Sequence, residues 1–488
     1  MRWFLLFFIV FLSGCVAKST QSKLGLAAWY WHSPYELSPK LTQSLNEAGI
    51  QELFVRAGTI SYDGEEFVPI LRQKWRGESA PRSIHLVFNM DAGALRHLED
   101  ADLSGLAVVI ADQALNSGSE AEKTGARVIG IQLDFDFPTR LLHRYAELLQ
   151  LIRKRLHATI KLSITSLPTW FGSSDFADVV EQTDFYVPQF YDGTVAKNVD
   201  ELAAIANLED LRRGLKLAEN LKHPYRVGIP TYGRALLYNP KGELSGSYQG
   251  LGLDQAIRHP ALNLQARTQL ATESQYRFLA VKPGKNGQGK GYWLVYRIPN
   301  VEGVGKQIQI ARESVTSKCE GIVLFRIPEQ AESMAIPMET LIASHFGQSM
   351  GVEVDVKAQR TEDPFSRIEN PSAESDRQVI ELAFSNTGNL RTVAGKEAFE
   401  VRLRFEPGAV IELQKGDFDS LKPIRDGMSS SLSRADLIHA NRYNLGINQK
   451  VVLGPLLVKA GATIHCEWSA MGENGVRVSG KRELVAND

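Results

Sequence analysis

Between Leu24 and Phe346 the chain alternates short β-branched or aromatic runs with longer amphipathic stretches, an order that few architectures accept. The strand candidates are Leu24–Trp31, Glu52–Arg56, Ile84–Met90, Val128–Phe135, Lys161–Thr165, Phe185–Gln189, Tyr225–Pro230 and Gly321–Phe325. Helix-like segments separate them. Ser38 followed by Pro39 makes an N-cap and first-turn pair, and Arg140–Leu156 sets Leu142, Tyr145, Leu148, Leu149 and Ile152 on one face. Val199–Asn220 and Ala331–Phe346 also read as helices, whereas Leu106–Ala111 suits either a strand or a buried helix. About eight strands alternating with helices predict an α/β fold, a (β/α)₈ barrel over residues 24–346. No G-x-G-x-x-G follows a strand, which argues against an open dinucleotide-binding sheet.

Residues 236–300 overfill the space before the last strand and read as an insertion. It holds a predicted hairpin, Tyr276–Val281 and Tyr292–Arg297, around the Gly/Lys-rich loop Pro283–Gly291. From about Gly351 to Pro371 the chain turns charged and poor in large apolar residues, so 347–374 reads as a linker. Beyond it, Gln378–Ser385, Phe399–Phe405, Ala409–Leu413, Gln449–Leu453 and Ala462–Ser469 form a pattern of short alternating strands. That pattern predicts a small β-sandwich over 375–488.

The first residues address the chain. Arg2 precedes an apolar run from Trp3 to Leu12, then Ser13, Gly14 and Cys15, which reads as an export signal over 1–14. Leu12-Ser-Gly-Cys15 resembles the lipobox of bacterial lipoproteins, which implies a lipid on Cys15 and a tether over 15–23. The same residues also suit a plain signal peptide with an incidental cysteine. By the same resemblance, Val16 favours outer-membrane sorting, facing the periplasm. The stretch from Cys15 to Leu24 spans about 30 Å at full extension, so the barrel is expected close to the bilayer. Cys319 and Cys466 fall in different domains. A disulfide between them is allowed by the compartment, but two isolated buried thiols fit the spacing better. With 55 basic and 56 acidic residues the charge is near neutral, which gives no footing for nucleic acid. No Cys/His cluster has metal-ligand spacing, and nothing calls for a cofactor.

The densest polar file on a predicted strand is Gln132, Asp134 and Asp136, within Gly130-Ile-Gln-Leu-Asp-Phe-Asp-Phe-Pro138. Alternation puts the three on one face and Ile131, Leu133 and Phe135 on the other. In a barrel the polar file faces inward at the strand's C-terminal end, where barrel active sites lie. Two carboxylates about 7 Å apart along a strand cannot both ionise freely in a dry site, so one becomes available as a general acid. A pair of buried aspartates bonded to loop amides or to a barrel arginine fits the same pattern.

This segment resembles the fourth-strand D-G-x-D-x-D-W-E-Y-P motif of family-18 glycoside hydrolases, the chitinases and endo-N-acetylglucosaminidases. Leu162-Ser-Ile-Thr-Ser-Leu-Pro168 is similar to their fifth-strand L-S-I-A-x-P segment. Gln189-Phe-Tyr-Asp192 looks like the sixth-strand M-x-Y-D, and Gly228-Ile-Pro-Thr-Tyr-Gly-Arg234 like the seventh-strand G-L-P-x-Y-G-R. Gly321-Ile-Val-Leu-Phe325 fits the last G-x-M-x-W segment, with Phe325 replacing the tryptophan that floors the sugar site. A family of bacterial lipoproteins of unknown function shares the G-I-Q-L-D-F-D-x-P segment more closely still.

The hydrolase resemblance implies a substrate-assisted site in which the substrate's own acetamido group attacks the anomeric carbon. Asp136 would then be the acid and Asp134 the orienting carboxylate, with Tyr191 and Asp192 binding and polarising the acetamido group. Gln132 replaces an aspartate, and Asp136 replaces the catalytic glutamate with a side chain one methylene shorter, a deficit of about 1.5 Å. Gln132, Gln189, Trp29, Trp31, Tyr232, Arg234 and Phe325 are candidate sugar contacts, and Trp170 and Phe171 add to the aromatics at predicted strand ends. Arg234 would bind an anionic substituent or neutralise the aspartates. His32 and His85 are isolated histidines, open to a structural or an acid–base role. Three functional readings follow: hydrolysis of an envelope or exported polysaccharide containing N-acetylhexosamine, non-catalytic glycan binding or scaffolding, and an interaction module built on the sandwich.

Overall fold

The computed structural model describes residues 24–76, 82–193, 195–282, 289–314, 318–329, 332–362, 364–365 and 376–485. The export signal, Cys15 and the tether lie outside these residues, as does most of the 283–291 loop. Eight parallel strands run in chain order as β1 (Gly25–Tyr30), β2 (Glu52–Tyr62), β3 (Ser83–Met90), β4 (Arg127–Asp134), β5 (Lys161–Ser166), β6 (Phe185–Pro188), β7 (Tyr225–Pro230) and β8 (Cys319–Phe325). Each pairs with its neighbours in the chain, and β1 pairs with both β2 and β8, so the sheet closes into the expected barrel.

Side-chain alternation divides this barrel into two packed layers. Outward residues such as Leu26, Leu53, Leu86, Leu133 and Ile229 join the helices in one large core. Inward residues Ala27, Trp29, Phe54, Val87, Phe185, Val187 and Val323 fill the interior. Gln132 is inward too, and there it accepts a 2.8 Å bond from Trp29 Nε1. An indole N–H buried without a partner would be costly, and the Gln132 amide answers it.

Polar groups close the barrel at the N-terminal ends of the strands. Arg226 on β7 bonds Glu52 on β2 at 2.5 Å and lies 4.5 Å from the Phe185 ring centroid. His85, 3.4 Å away, and Arg226 hold the Glu52 carboxyl down to about 2 against the opposing effect of burial. His85 stacks on Phe54 at 4.4 Å, and burial lowers its pKa. Gly130 is required beside it, because a Cβ there would come within 2.5 Å of His85 Nδ1 and 2.8 Å of the Lys161 carbonyl.

The helices between the strands follow local signals. Ser38 caps Pro39–Glu47 by accepting from the Leu41 N–H. Leu106–Ala111 lies within the helix Leu103–Glu122. The apolar stripe of Leu142–Arg153 is wholly buried, as its spacing predicts. The 199–220 segment is helical only over Leu208–Asn220, since Asn207 caps it by accepting from the Glu209 and Asp210 N–H groups. The 331–346 segment is helical only over Met338–His345, because Pro337 disfavours helical geometry in the residue before it.

After β7, five antiparallel strands form a second sheet in the order Leu244–Tyr248, Arg234–Tyr238, Trp293–Pro299, Glu273–Ala280 and Leu262–Gln269. The predicted hairpin is present as the third and fourth of these. Its first strand in the chain begins at Arg234, two residues before position 236, so the sheet starts at the barrel mouth.

Two further antiparallel sheets of four and six strands enclose one apolar core of residues such as Leu382, Phe384, Phe399, Val401, Leu403, Leu453 and Ile464. The sequence reads residues 354–360 as linker, but Val354–Arg360 pairs along its whole length with Arg377–Asn386. Of that strand only Val356 is fully buried, and an edge strand with so little apolar content resembles a linker in composition. Arg258 joins the insertion to this unit by bonds to Asp419 and Asn444. Cys319 and Cys466 are both buried and free.

Candidate active site at the barrel mouth

Parallel strands deliver all their C-terminal ends to one face, and β4 brings two carboxylates there. The strand stops at Asp134, and Phe135 and Phe137 then face outward, packed beneath the helix Leu142–Arg153. Tyr145 of that helix stacks on Phe137 at 4.2 Å, which fixes the alternate residues and leaves Asp134 and Asp136 on the mouth side. Thr165 on β5 donates to Asp134 Oδ1 at 2.7 Å. Burial, reinforced by the Asp136 charge, pushes the Asp134 carboxyl up to about 6. Asp136 opens to solvent at the mouth, yet desolvation by the protein around it raises its carboxyl, opposed by Arg234, and among the described residues no donor or cation pairs with it. The acid is uncapped.

The chain leaving β6 supplies the facing wall. Gln189 is tied back through its N–H to the Ser166 carbonyl at 3.0 Å. Asp192 sits in the left-handed region at φ 58, where its N–H reaches the Ile205 carbonyl at 2.7 Å and its carboxylate pairs with Arg234 at 2.7 Å. Burial raises the Asp192 carboxyl against the pull of Arg234. The Tyr191 hydroxyl is buried, and among the described residues it has no hydrogen-bond partner. Burial, with the charges of Asp192 and Asp134, lifts its pKa well above the ordinary value, so it stays a proton donor. A buried donor without an acceptor marks a place where a ligand oxygen would be welcome.

Aromatic rings floor the space between. Phe325 lies 5.5 Å from Trp31, 5.9 Å from Tyr232 and 5.6 Å from Trp29. Trp31 and Phe325 are partly open, whereas Trp29 is sealed beneath them in the interior. Arg326 follows Phe325 and spans from the Tyr232 ring to Glu332, bonded at 2.6 Å.

Asp134, Asp136, Tyr191, Asp192, Trp31, Tyr232, Arg234 and Phe325 therefore converge at one end of the barrel, with Gln189 at the rim. Gln132 and Trp29 do not reach it, since both are spent on each other inside the barrel. Trp170 and Phe171 belong to the helix layer, where Trp170 Nε1 donates to the Phe137 carbonyl at 3.1 Å. His32 is held at the periphery by the Ile327 carbonyl and Glu329, and His85 lies at the opposite end of the barrel. Sequence reasoning missed Thr165 and Arg56. The inward file Glu52, Phe54, Arg56 on β2 carried the signal for the latter, a charge on the side that faces the interior.

Chemically, the mouth offers a carboxyl that holds its proton near neutrality, a second carboxylate beside it, a phenol donor and an apolar floor. That set can protonate a leaving oxygen while a neighbouring group is held and polarised. Among the described residues no group of three or more His, Cys, Asp or Glu is placed to hold a metal ion.

Residues 97–272, which run from before β4 to the insertion, match the family model described as Domain of unknown function (DUF3142). No curated protein matches the chain. Among solved structures, the Bacillus cereus spore cortex-lytic enzyme SleL is similar at 15% identity with a TM-score of 0.42, over 66% of this chain and 74% of that one. A chitinase from Chromobacterium violaceum ATCC 12472 is similar at 14% identity and a TM-score of 0.43, over 67% of this chain and 100% of that one. A glycoside hydrolase family 18 N-acetylglucosaminidase from Paenibacillus barengoltzii is similar at 11% identity and a TM-score of 0.43, over 66% and 99%.

Proposed function

We propose that this chain is a membrane-anchored lipoprotein that hydrolyses an envelope or exported polysaccharide containing N-acetylhexosamine. The observation that carries the reading is the uncapped Asp136 carboxyl beside Asp134, whose own carboxyl burial pushes up to about 6, with the Tyr191 hydroxyl close by and unpaired among the described residues. In this reading the proton that Asp134 holds near neutrality passes to Asp136, which delivers it to the glycosidic oxygen. Asp134 orients the acetamido group for attack on the anomeric carbon, and Tyr191 donates to the carbonyl of that group. Water then opens the cyclic intermediate, and the proton returns to Asp136.

Purified full-length protein should release reducing ends from N-acetylhexosamine polymers. The working proton belongs to the Asp134–Asp136 pair, so kcat/KM should decline as pH rises through about 6. A rate that climbs steadily to alkaline pH would exclude a carboxylic acid as donor.

The rival reading is a glycan-binding protein on a hydrolase scaffold. It is favoured by Asp136, whose side chain is one methylene shorter than a glutamate. Oligosaccharide binding with no reducing ends released over days would decide for it.

The anchor has its own test. Cells grown with labelled palmitate should yield a labelled, membrane-bound protein, and Cys15→Ser should lose both label and membrane fraction. An unlabelled soluble protein would leave only the export signal.

A further inference from the structure

Three arginines stand around the mouth, and two bring their own carboxylates. Arg234 pairs with Asp192 at 2.7 Å, and Arg326 with Glu332 at 2.6 Å. Arg56 has none. Among the described residues its guanidinium makes no ion pair, and its Nε is buried without a hydrogen-bond partner. Its own strand carries it inward, two residues above the interior Phe54. Buried Gln73 fixes the backbone there, donating from one amide nitrogen to the Arg56 carbonyl at 3.0 Å and the His32 carbonyl at 2.7 Å. The guanidinium rests over the Trp31 ring, 5.6 Å from its centroid.

Burial and the nearby Arg326 charge both work against this cation. An aromatic face compensates part of that cost. A guanidinium held over an aromatic face can still offer its terminal N–H groups, in the fork geometry that receives a carboxylate in two parallel bonds. The rest of the mouth limits the anion's charge, because Asp134 and Asp136 would repel a multiply charged group more strongly than a single carboxylate.

We infer that Arg56, resting on Trp31, is a subsite for a sugar carboxylate, so that the polymer received here is an acidic glycan. A uronic acid alternating with N-acetylhexosamine has the required chemistry. This inference depends on the glycan reading above and narrows it.

Calorimetric titration of the full chain tests it with two probes. One is hyaluronan oligosaccharides; the other is the same oligosaccharides with each carboxyl reduced to the alcohol. At low ionic strength the acidic form should bind about tenfold more tightly, the worth of a hydrogen bond to a charged group. Added salt should narrow that gap, and Arg56→Gln should close it, while Arg56→Lys retains part of it. Equal binding of both probes by the unmodified protein, or a gap that persists in Arg56→Gln, removes the subsite and leaves the glycan reading standing. Binding of neither probe removes both.

Discussion

Asp136→Asn is expected to lower kcat for glycan hydrolysis by about 10²–10⁴-fold while oligosaccharides still bind. Asparagine keeps the shape of the side chain and removes its proton, so packing at the mouth is preserved and general-acid catalysis is not. The uncapped state of Asp136 makes this a clean substitution, since no described partner is orphaned by it. Asp136→Glu supplies the complementary measurement. If the shorter acid works at a distance, the longer side chain advances the carboxyl by about 1.5 Å and should raise kcat. Unchanged turnover in Asp136→Asn, measured by reducing-end release, would take Asp136 out of the mechanism.

The second large effect is on stability. Trp29→Ala should destabilise the protein by about 3–5 kcal/mol, because it empties a large volume at the centre of the barrel. It also leaves Gln132 Oε1 buried without its 2.8 Å donor. Trp29→Phe refills most of the space and should recover part of the loss, the remainder reflecting the unanswered amide. Denaturant midpoints of the three proteins give the comparison. A loss below about 1 kcal/mol in Trp29→Ala would place Trp29 outside the packed interior.

These two residues show how far a sequence of this kind can be read. Alternation along β4 identified Asp134 and Asp136 as neighbours on the inward side, and collinear segments on β5 to β8 placed Tyr191, Asp192, Arg234 and Phe325 at the same end. Alternation gives the side but not the depth. Gln132, Asp134 and Asp136 share that side, yet the first is fully buried, the second partly buried and the third exposed. Trp29 and Trp31 differ in the same way, one in the core and one at the mouth. Trp170 is close to the site in sequence, but the 3-10 turn Pro168–Gly172 directs its ring to the helix layer. Arg56 was missed because a charge at the end of a strand candidate reads as the exit to solvent. Its strand continues to Tyr62, and the inward register only emerges once β2 is paired on both sides.

The polar plug of Glu52, Arg226 and His85 has a consequence for how the molecule stands. It marks the end of the barrel at which β1 begins, so the chain enters the fold at Gly25 on the side opposite the carboxylates. A protein held by a lipid at Cys15 would rest on that plugged end, with its working face turned outward. β1 alone lifts the mouth by about 16 Å, from its six residues at roughly 3.3 Å each along a strand tilted about 36° from the barrel axis. Such an enzyme would meet strands lying above the membrane and would have no access to glycan pressed against the lipid surface.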